Sequence, residues 1–373
     1  MSRPRALELL RVELPLVRPF RTSFGEVTHK RCVLVRVETD EAEGWGECVA
    51  DERPDFSGEF NEGAWLAIRD FLAPAWFAEE DAGVATAERA FAGVRGNQMA
   101  KAAVLDAILD AELAASDTSL GAWLGAERDR VVCGVSIGIA SSTEALLEQV
   151  NDYLAAGYRR IKLKIEPGLD VERVRAVRAA HPDILLSVDA NAAYRPEDID
   201  TFRAIDDLGL LMIEQPLHHE DLVRHAELQA LLATDLCLDE SIRSAADAAA
   251  ALELGACRIV NIKQGRVGGV PEARRVHDLC RERETPVWCG GMLETGIGRA
   301  VNLALAAMPG FTLPGDTSAS ARYFADDLTE PFDLAPDGTM AVPTGPGIGV
   351  RPRPDRLRDC VSRRELISAG DKE

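Results

Sequence analysis

Three acidic residues of this chain follow short apolar runs at equal steps along the sequence. Asp189 lies in "SVDAN", Glu214 in "MIEQP" and Asp239 in "CLDES", so 25 residues separate each acid from the next. A step of one strand and one helix would bring the three carboxylates to the same ends of neighbouring parallel strands. Converging carboxylates repel one another unless a cation lies between them, and an all-oxygen set suits a hard ion such as Mg²⁺. One acid after a strand is more often a helix N-cap, whereas three in step indicate a metal site.

Three lysines flank these acids in the sequence. Lys162 and Lys164 alternate with apolar residues in "RRIKLKI", just before the first acid, and Lys263 in "VNIKQG" lies 24 residues after Asp239. On a half-exposed antiparallel strand the first two lysines would simply face water. At the end of a barrel strand they would instead face the metal, and paired ammonium groups would lower each other's pKa below the free value of about 10.4.

A neutral lysine near pH 7 can act as a general base. Two such bases on opposite sides of a metal-bound carboxylate could remove or deliver a proton at either face of its α-carbon. Mg²⁺ and Lys162 would stabilise the resulting enediolate.

The elements that must position these residues are predicted from about residue 130 onward, where short apolar strands alternate with helices. Eight strands are predicted, in "VVCGVSIGI", "RIKLKI", "ILLSVDAN", "LLMIEQP", "LCLDES", "RIVNIKQG", "TPVWCGG" and "FTLPGDT". The helices between them are predicted at 142–156, 170–180, 196–207, 221–233, 244–254, 268–284 and 296–308. This alternation predicts a parallel α/β barrel with active residues at the C-terminal strand ends. A doubly wound open sheet is the rival, but no G-x-G-x-x-G follows the first strand.

The rest of the chain is predicted to form two further parts. Strands followed by helices indicate an α+β domain over residues 1–125, and the barrel is expected over 126–322. Residues 323–373, rich in proline and charge, are expected to pack back on the first domain.

Composition excludes several classes of function. The formal charge of −20, from 42 basic and 62 acidic residues, argues against binding nucleic acid or anionic membranes. Eight cysteines without a C-x-x-C pair indicate reduced, mostly buried thiols of a cytoplasmic protein. The first residues mix apolar side chains with charges and prolines, so neither a signal peptide nor a membrane anchor is expected there, and no later segment is apolar enough to span a bilayer.

The motifs "KLK", "DAN", "EQP", "DES", "NIKQGRVGG" and "GGMLETGIGRA" resemble the enolase superfamily, in its muconate-lactonizing-enzyme subgroup. More narrowly, the chain is similar to the o-succinylbenzoate synthase / N-succinylamino acid racemase family along nearly its whole length. The resemblance implies a TIM-like (β/α)7β barrel with an N-terminal α+β capping domain. One departure is Gln264, where the family pattern has proline.

The resemblance also implies a role for each site residue. Asp189, Glu214 and Asp239 would hold Mg²⁺, with Mn²⁺ or another divalent ion as a substitute. Lys164 would be the base on one face of the substrate, Lys263 the base on the other, and Lys162 an electrostatic support. The implied substrate-binding residues are Ser136, Asn191, Arg266, Met292 and Phe24, together with the loop 50–58 of the capping domain.

The implied activity is o-succinylbenzoate synthesis. This reaction is the syn-dehydration of 2-succinyl-6-hydroxy-2,4-cyclohexadiene-1-carboxylate in menaquinone biosynthesis. Racemisation of N-succinylamino acids is the alternative, either as a second activity of the same pocket or in place of the synthase activity. Another cycloisomerase or epimerase activity of the superfamily is a second alternative. The expected partner is a small anionic carboxylate, and a homo-oligomer is expected.

Other classes agree less well with the sequence. The seventh strand, "VWCGG", lacks the histidine of mandelate-racemase-like enzymes, and "LPGDTSAS" offers only Asp316 where dipeptide epimerases resemble one another in an Asp-x-Asp. A Schiff-base aldolase would use one lysine and no metal, and a non-catalytic binding protein would be expected to have lost a base or a ligand. The pair His218 and His219 suggests a zinc site. Neighbouring histidines on such a loop usually point apart, however, which favours a solvated loop.

Overall fold

The computed structural model describes residues 2–370. Its N-terminal part is an antiparallel meander of three strands, β1 (Pro4–Thr22), β2 (Gly25–Thr39) and β3 (Glu43–Cys48). β1 and β2 meet in a tight turn at Thr22–Gly25, where Gly25 has φ +153°. This turn and the segment after β3 both reach toward the barrel, so the sheet carries two loops to the site.

Helices pack on this sheet, and together they form the predicted α+β unit. They are α1 (Asn61–Ala67), α2 (Ala73–Phe77), α3 (Val84–Phe91), α4 (Gln98–Ala115) and α5 (Leu120–Leu124). A π-helical turn, Ile68–Leu72, joins α1 to α2. The long α4 lies directly on β3, because a Cβ at Gly44 or Gly46 would come within 2.0 Å of a carbonyl oxygen of α4. Glycine on the strand and alanine on the helix therefore allow the backbones to approach closely.

The second part is a curled parallel sheet surrounded by helices. After a short strand, β4 (Arg130–Val132), its strands are β5 (Gly134–Ile137), β6 (Arg160–Lys164), β7 (Leu185–Asp189), β8 (Ile213–Glu214), β9 (Leu236–Leu238), β10 (Ile259–Ile262) and β11 (Val287–Cys289), hydrogen-bonded in chain order. The helices are α6 (Thr143–Ala155), α7 (Val171–Ala180), α8 (Ile199–Arg203), α9 (Leu222–Leu231), α10 (Ala245–Leu254), α11 (Gln264–Val267), α12 (Val270–Glu282) and α13 (Gly296–Ala306). A 3₁₀ turn, Pro196–Asp198, precedes α8.

The barrel closes through an irregular segment and not through a regular eighth strand. Residues 311–316 form isolated parallel bridges, Val287↔Phe311 on one side and Cys133↔Gly315 on the other. The Gly134 amide donates to Gly315 O at 2.7 Å, and the Asp316 amide donates to Cys289 O at 2.9 Å. The prediction of a full strand in "FTLPGDT" is wrong in this respect, because Pro314 has no amide hydrogen to donate to a ladder. Because this segment bridges the first and last strands of the curled sheet, the structure nevertheless confirms the barrel with its capping domain, and the doubly wound open sheet is excluded.

The last part of the chain contacts both the barrel and the cap. A 3₁₀ turn (Ser320–Arg322) leads to β12 (Thr339–Ala341), which pairs with β4, and then to α14 (Pro354–Cys360). The final strand, β13 (Val361–Ser368), pairs antiparallel with β1 and extends the cap sheet. The exact division at residues 125 and 322 stays a prediction.

The eight cysteines are all buried, and none is in a disulfide. Within residues 2–370 we find no helix with the length and apolar character that crossing a bilayer requires.

Candidate active site

The structure brings the three acids to one edge of the barrel. Asp189 ends β7 and Glu214 ends β8, and the two are directly paired in the parallel register. Asp239 directly follows β9. All three are at most 1% exposed. The equal spacing along the chain therefore places the three carboxylates at the same level on three neighbouring strands.

Lys162 and Lys164 lie two residues apart on β6 and so share the face that points into this edge. The Nζ of Lys164 lies 2.6 Å from Asp189 Oδ2 and 2.6 Å from Asn191 Oδ1. The Nζ of Lys162 lies 2.7 Å from Glu214 Oε2 and 3.1 Å from Asp189 Oδ2. The two lysines predicted to face water in the alternative interpretation are thus directed at carboxylates.

Lys263 reaches the same edge from the opposite side of the barrel. It follows β10, the sixth strand of the curled sheet, whereas Lys164 ends β6, the second. Its Nζ donates to Asp239 Oδ2 at 2.7 Å and lies 4.7 Å from the centre of the Phe56 ring. Space for this side chain depends on Gly290, because a Cβ there would come within 2.7 Å of Lys263 Cε.

Burial and neighbouring charges shift the pKa values of the acids in different directions. Burial raises the pKa of Glu214 to about 8, and the adjacent Asp189 carboxylate adds to this shift. Burial also raises the pKa of Asp189, but Lys164 and Lys162 outweigh it, so the pKa lies far below its usual range. Like charges therefore crowd this edge, and the three lysines and Arg266 compensate them among the side chains described.

The predicted lowering of the lysine pKa is wrong for Lys162 in this arrangement. Burial lowers the pKa of Lys162, but Asp316, Glu214 and Asp189 outweigh burial and raise it well above its ordinary value. The pKa of Lys263 is likewise raised, because Asp239 and other carboxylates outweigh burial. Each ammonium is surrounded by carboxylates and not chiefly by another ammonium, which is the reason for the difference.

The donor set fits a hard divalent cation by its chemistry. It consists of three buried carboxylates on adjacent strands, with oxygen donors only, in a place where negative charges repel one another. As the side chains stand, no three carboxylate, imidazole or thiol groups within residues 2–370 converge closely enough to hold an ion. In this arrangement a lysine contacts one oxygen of each acid. A cation would have to replace those ammonium contacts.

A pocket above this edge is lined by both parts of the molecule. The barrel contributes most of the predicted residues, namely Ser136, Lys162, Lys164, Asn191, Lys263 and Met292. The cap contributes Phe20, Thr22, Phe24, Val27, Asp51 and Phe56, which lie in or beside the turn between β1 and β2 and in the predicted loop 50–58. A small molecule in this pocket would contact the lysines below and the cap above.

Arg266 is not among the residues that line this pocket. Its guanidinium contacts Asp239 Oδ1 and donates to the carbonyl oxygens of Ile242 and Asn261, each at 2.6 Å. This placement favours a role in holding Asp239 over direct contact with a substrate.

The sequence interpretation missed several residues that hold the acids. Asn261 donates to Glu214 Oε1 at 2.7 Å, and Gln215 Oε1 accepts from the Asp239 amide at 3.0 Å. Asp316, which the sequence offers only as an incomplete Asp-x-Asp, contacts Lys162 at 2.8 Å. Its position at the end of the last barrel segment was the available signal.

The histidine pair differs from the prediction in its geometry. His218 and His219 stack, with ring centroids 4.4 Å apart, and do not point apart. His218 is exposed, as expected of a solvated loop.

Comparisons with known proteins agree along the whole chain. Residues 6–125 match the family model of the mandelate racemase / muconate lactonizing enzyme N-terminal domain, and residues 145–356 match that of the enolase C-terminal domain-like family.

Relatives with both names of the implied family are similar to this chain. An N-succinylamino acid racemase of Amycolatopsis sp is 53% identical over 97% of this chain and 99% of its own length. An o-succinylbenzoate synthase of Geobacillus stearothermophilus is 48% identical over 91% of each chain. The crystal structure of an enolase superfamily member from Listeria innocua has a TM-score of 0.95 and 40% identity, and the match covers 99% of this chain and 100% of that one. With two family models and relatives above 30% identity in agreement, the chain belongs to the enolase superfamily, in the family of o-succinylbenzoate synthases and N-succinylamino acid racemases.

Proposed function

We propose that this enzyme is an o-succinylbenzoate synthase that also racemises N-succinylamino acids in the same pocket. The observation that carries the proposal is the pair of lysines, Lys164 and Lys263, on opposite sides of one pocket. Relatives with both names, 40–53% identical to this chain, support the pairing of the two activities. The proposed dehydration converts 2-succinyl-6-hydroxy-2,4-cyclohexadiene-1-carboxylate into o-succinylbenzoate.

Enzymes of the enolase superfamily depend on a divalent metal. We infer that the ion here is Mg²⁺, with Mn²⁺ as a substitute, on Asp189, Glu214 and Asp239. Bound there, the ion would supply positive charge to the substrate carboxylate. Lys162, which contacts two of these acids, would add a second positive charge beside the developing enediolate.

In the dehydration, Lys164 in its neutral form takes the α-proton of the substrate. The electron pair of the broken C–H bond passes into the ring, and the C–O bond to the hydroxyl group breaks. The protonated Lys164 returns its proton to the departing hydroxide, so that one water leaves and an aromatic ring remains. One base on one face is sufficient for this reaction.

Racemisation requires both lysines. Lys164 takes the α-proton from one enantiomer, and Lys263 delivers a proton to the opposite face of the same carbon. The reverse direction exchanges the two roles. Asn191, which accepts from Lys164 at 2.6 Å, positions the first base, and Asp239 positions the second.

The test is to assay the Mg²⁺-loaded enzyme with both substrates and compare the two kcat/KM values. We expect turnover of both, and we expect the Lys164→Ala variant to turn over neither, because no other described side chain is placed to take that proton. Borohydride treatment with a keto substrate, which would trap a Schiff base, should leave the enzyme unlabelled. Wild-type activity in the Lys164→Ala variant would overturn the proposal.

A further inference from the structure

Lys162 has one carboxylate partner that lies outside the proposed metal site. Its Nζ lies 2.7 Å from Glu214 Oε2 and 3.1 Å from Asp189 Oδ2, and both of these acids are proposed metal ligands. The third partner is Asp316 Oδ2, at 2.8 Å, on the segment that closes the barrel. A divalent ion would compete with Lys162 for the first two carboxylates but not for Asp316.

Asp316 is itself held in place from the other side. Its Oδ1 accepts from Arg160 Nη2 at 2.7 Å, and the same nitrogen donates to Pro314 O at 3.1 Å. Arg160 is 1% exposed and Asp316 is 7% exposed. Each oxygen of this carboxylate therefore has its own cation, so its orientation is determined by two ion pairs.

The residues around this ion-pair group contact both cations and leave space for them. Trp288 on β11 lies beneath both cations, with its ring centre 4.9 Å from Arg160 Cζ and 4.7 Å from Lys162 Nζ. The guanidinium also needs the absence of a side chain on β5, because a Cβ at Gly134 would lie 2.7 Å from it. Cation–π contact and close packing both favour one position for the two cations.

We propose that Asp316 is the positioning residue that holds Lys162 in place while Asp189 and Glu214 bind the divalent ion. The inference rests on the proposed metal ligands. Without Asp316, the buried ammonium would keep only the metal ligands as carboxylate partners and would compete with the ion for their oxygens. With Asp316, the ammonium can release them and stay directed at the pocket, which both residues line.

The test measures Mg²⁺ binding by calorimetry in the absence of substrate. We expect Asp316→Asn to weaken Mg²⁺ binding about tenfold, and to change it less than about threefold when Lys162→Met is already present. The matched control is Asp106→Asn, which replaces another buried carboxyl, one that accepts a hydrogen bond from the Val270 amide. That variant should bind Mg²⁺ like the native enzyme.

The outcomes separate this inference from the proposed function. If Glu214→Gln binds Mg²⁺ as the native enzyme does, the proposed metal site is wrong, and the inference fails with it. If Glu214→Gln loses binding but Asp316→Asn does not, only the role of Asp316 is overturned. A tenfold loss that persists beside Lys162→Met would also overturn it, because Asp316 would then act by its charge and not through Lys162.

Should Asp316→Asn fail to fold, its unpaired Arg160 is the expected reason. The double variant Arg160→Met/Asp316→Asn removes both charges of that pair and should show the same loss, again only when Lys162 is present. Native Mg²⁺ affinity in this folded double variant would overturn the inference.

Discussion

At the scale of single residues, the two proposed bases are distinguished by what they contact. Lys164 contacts Asp189 and Asn191, whereas Lys263 contacts Asp239 and the face of the Phe56 ring. Their different strands place them on opposite sides of one pocket. A substitution at one lysine should therefore affect the two proposed reactions differently.

Lys263→Ala should abolish racemisation, by about 10³-fold or more, because no acid remains on the second face. The variant should still exchange the α-proton of one enantiomer of an N-succinylamino acid with deuterium, since Lys164 acts on its own face. NMR in D₂O measures this exchange for each enantiomer. Loss of synthase turnover would be undiagnostic, because Lys263 also contributes positive charge near the enediolate.

The control for that experiment is Lys101→Ala, which removes a lysine of α4 that donates to Val94 O. It should racemise like the native enzyme. Equal exchange of both enantiomers by Lys263→Ala would show that Lys263 is not the base on the second face.

Glu214→Gln should remove most of the affinity for Mg²⁺ while the protein remains folded. The reason is that the glutamine keeps the shape of the side chain but not the charge of a central ligand. Titration calorimetry measures the affinity, and circular dichroism checks the fold. Excess EDTA should likewise abolish both activities of the native enzyme; full activity after verified metal removal would contradict the metal assignment.

The convergence of the acids could be predicted because parallel strands align equal chemical positions at one edge. Spacing alone was therefore sufficient to predict the convergence of Asp189, Glu214 and Asp239. The spacing did not place Asp316, because the segment before it forms isolated bridges and has no strand period, and only its position in the predicted eighth strand pointed to the site. The resemblance alone implies a contact of Arg266 with the substrate, whereas its contact with Asp239 depends on how α11 turns back toward β9.

At the scale of secondary structure, the strand ends carry backbone conformations that side chains rarely adopt. Asn191 and Ala192 after β7, Gln215 after β8 and Leu293 after β11 all have positive φ, between 36° and 59°. Such conformations cost free energy, on the order of 1 kcal/mol or more each, and are typical of functional sites. Here each one is a predicted site residue or directly follows one.

Helix α4 carries an acid that makes the cap sensitive to pH. Burial raises the pKa of Asp106 to about 7, against an ordinary value near 4, and a hydrogen bond from the Val270 amide offsets this only in part. The folded protein therefore holds a proton here that the unfolded chain has lost. The free energy of unfolding should consequently fall as pH rises from about 4 to about 7 through this group.

Asp106→Asn should remove this contribution. Relative to the native enzyme, the variant should gain stability as pH rises from 5 to 8, by about 2.7 kcal/mol, because about two pH units of that range lie below the folded pKa of about 7 and each contributes about 1.4 kcal/mol. Denaturant unfolding at several pH values measures the difference. A constant difference across that range would contradict the assigned pKa.

At the scale of the whole molecule, the cap is joined to the barrel by buried contacts between residues far apart in the sequence. Lys30 of β2 donates to Met292 O at 2.8 Å, and Glu47 of β3 accepts from the Thr295 hydroxyl at 2.7 Å and the Gly298 amide at 3.0 Å. Ser23, in the turn after β1, donates to Ala190 O at 3.3 Å. No local pattern could predict such contacts, because they depend on the relative placement of two separately patterned units. The expected homo-oligomer stays a prediction.

These contacts hold the cap against the barrel mouth, and they lead to a prediction about specificity. Phe56 covers Lys263 from above and lies 6.5 Å, between ring centroids, from Phe24 in the other cap loop. Phe56→Ala should change the ratio of kcat/KM for the two substrates about tenfold, because it removes a cation–π contact and admits water above the base. The affinity for Mg²⁺ should change less than about twofold, since the proposed ligands lie on the barrel.

Phe71→Ala is the matched control, because Phe71 lies in the cap, is 60% exposed and does not line the pocket. If the two alanine variants show the same substrate ratio as the native enzyme, the cap covers the site without selecting the substrate, and specificity must then reside in the barrel residues Ser136, Asn191 and Met292.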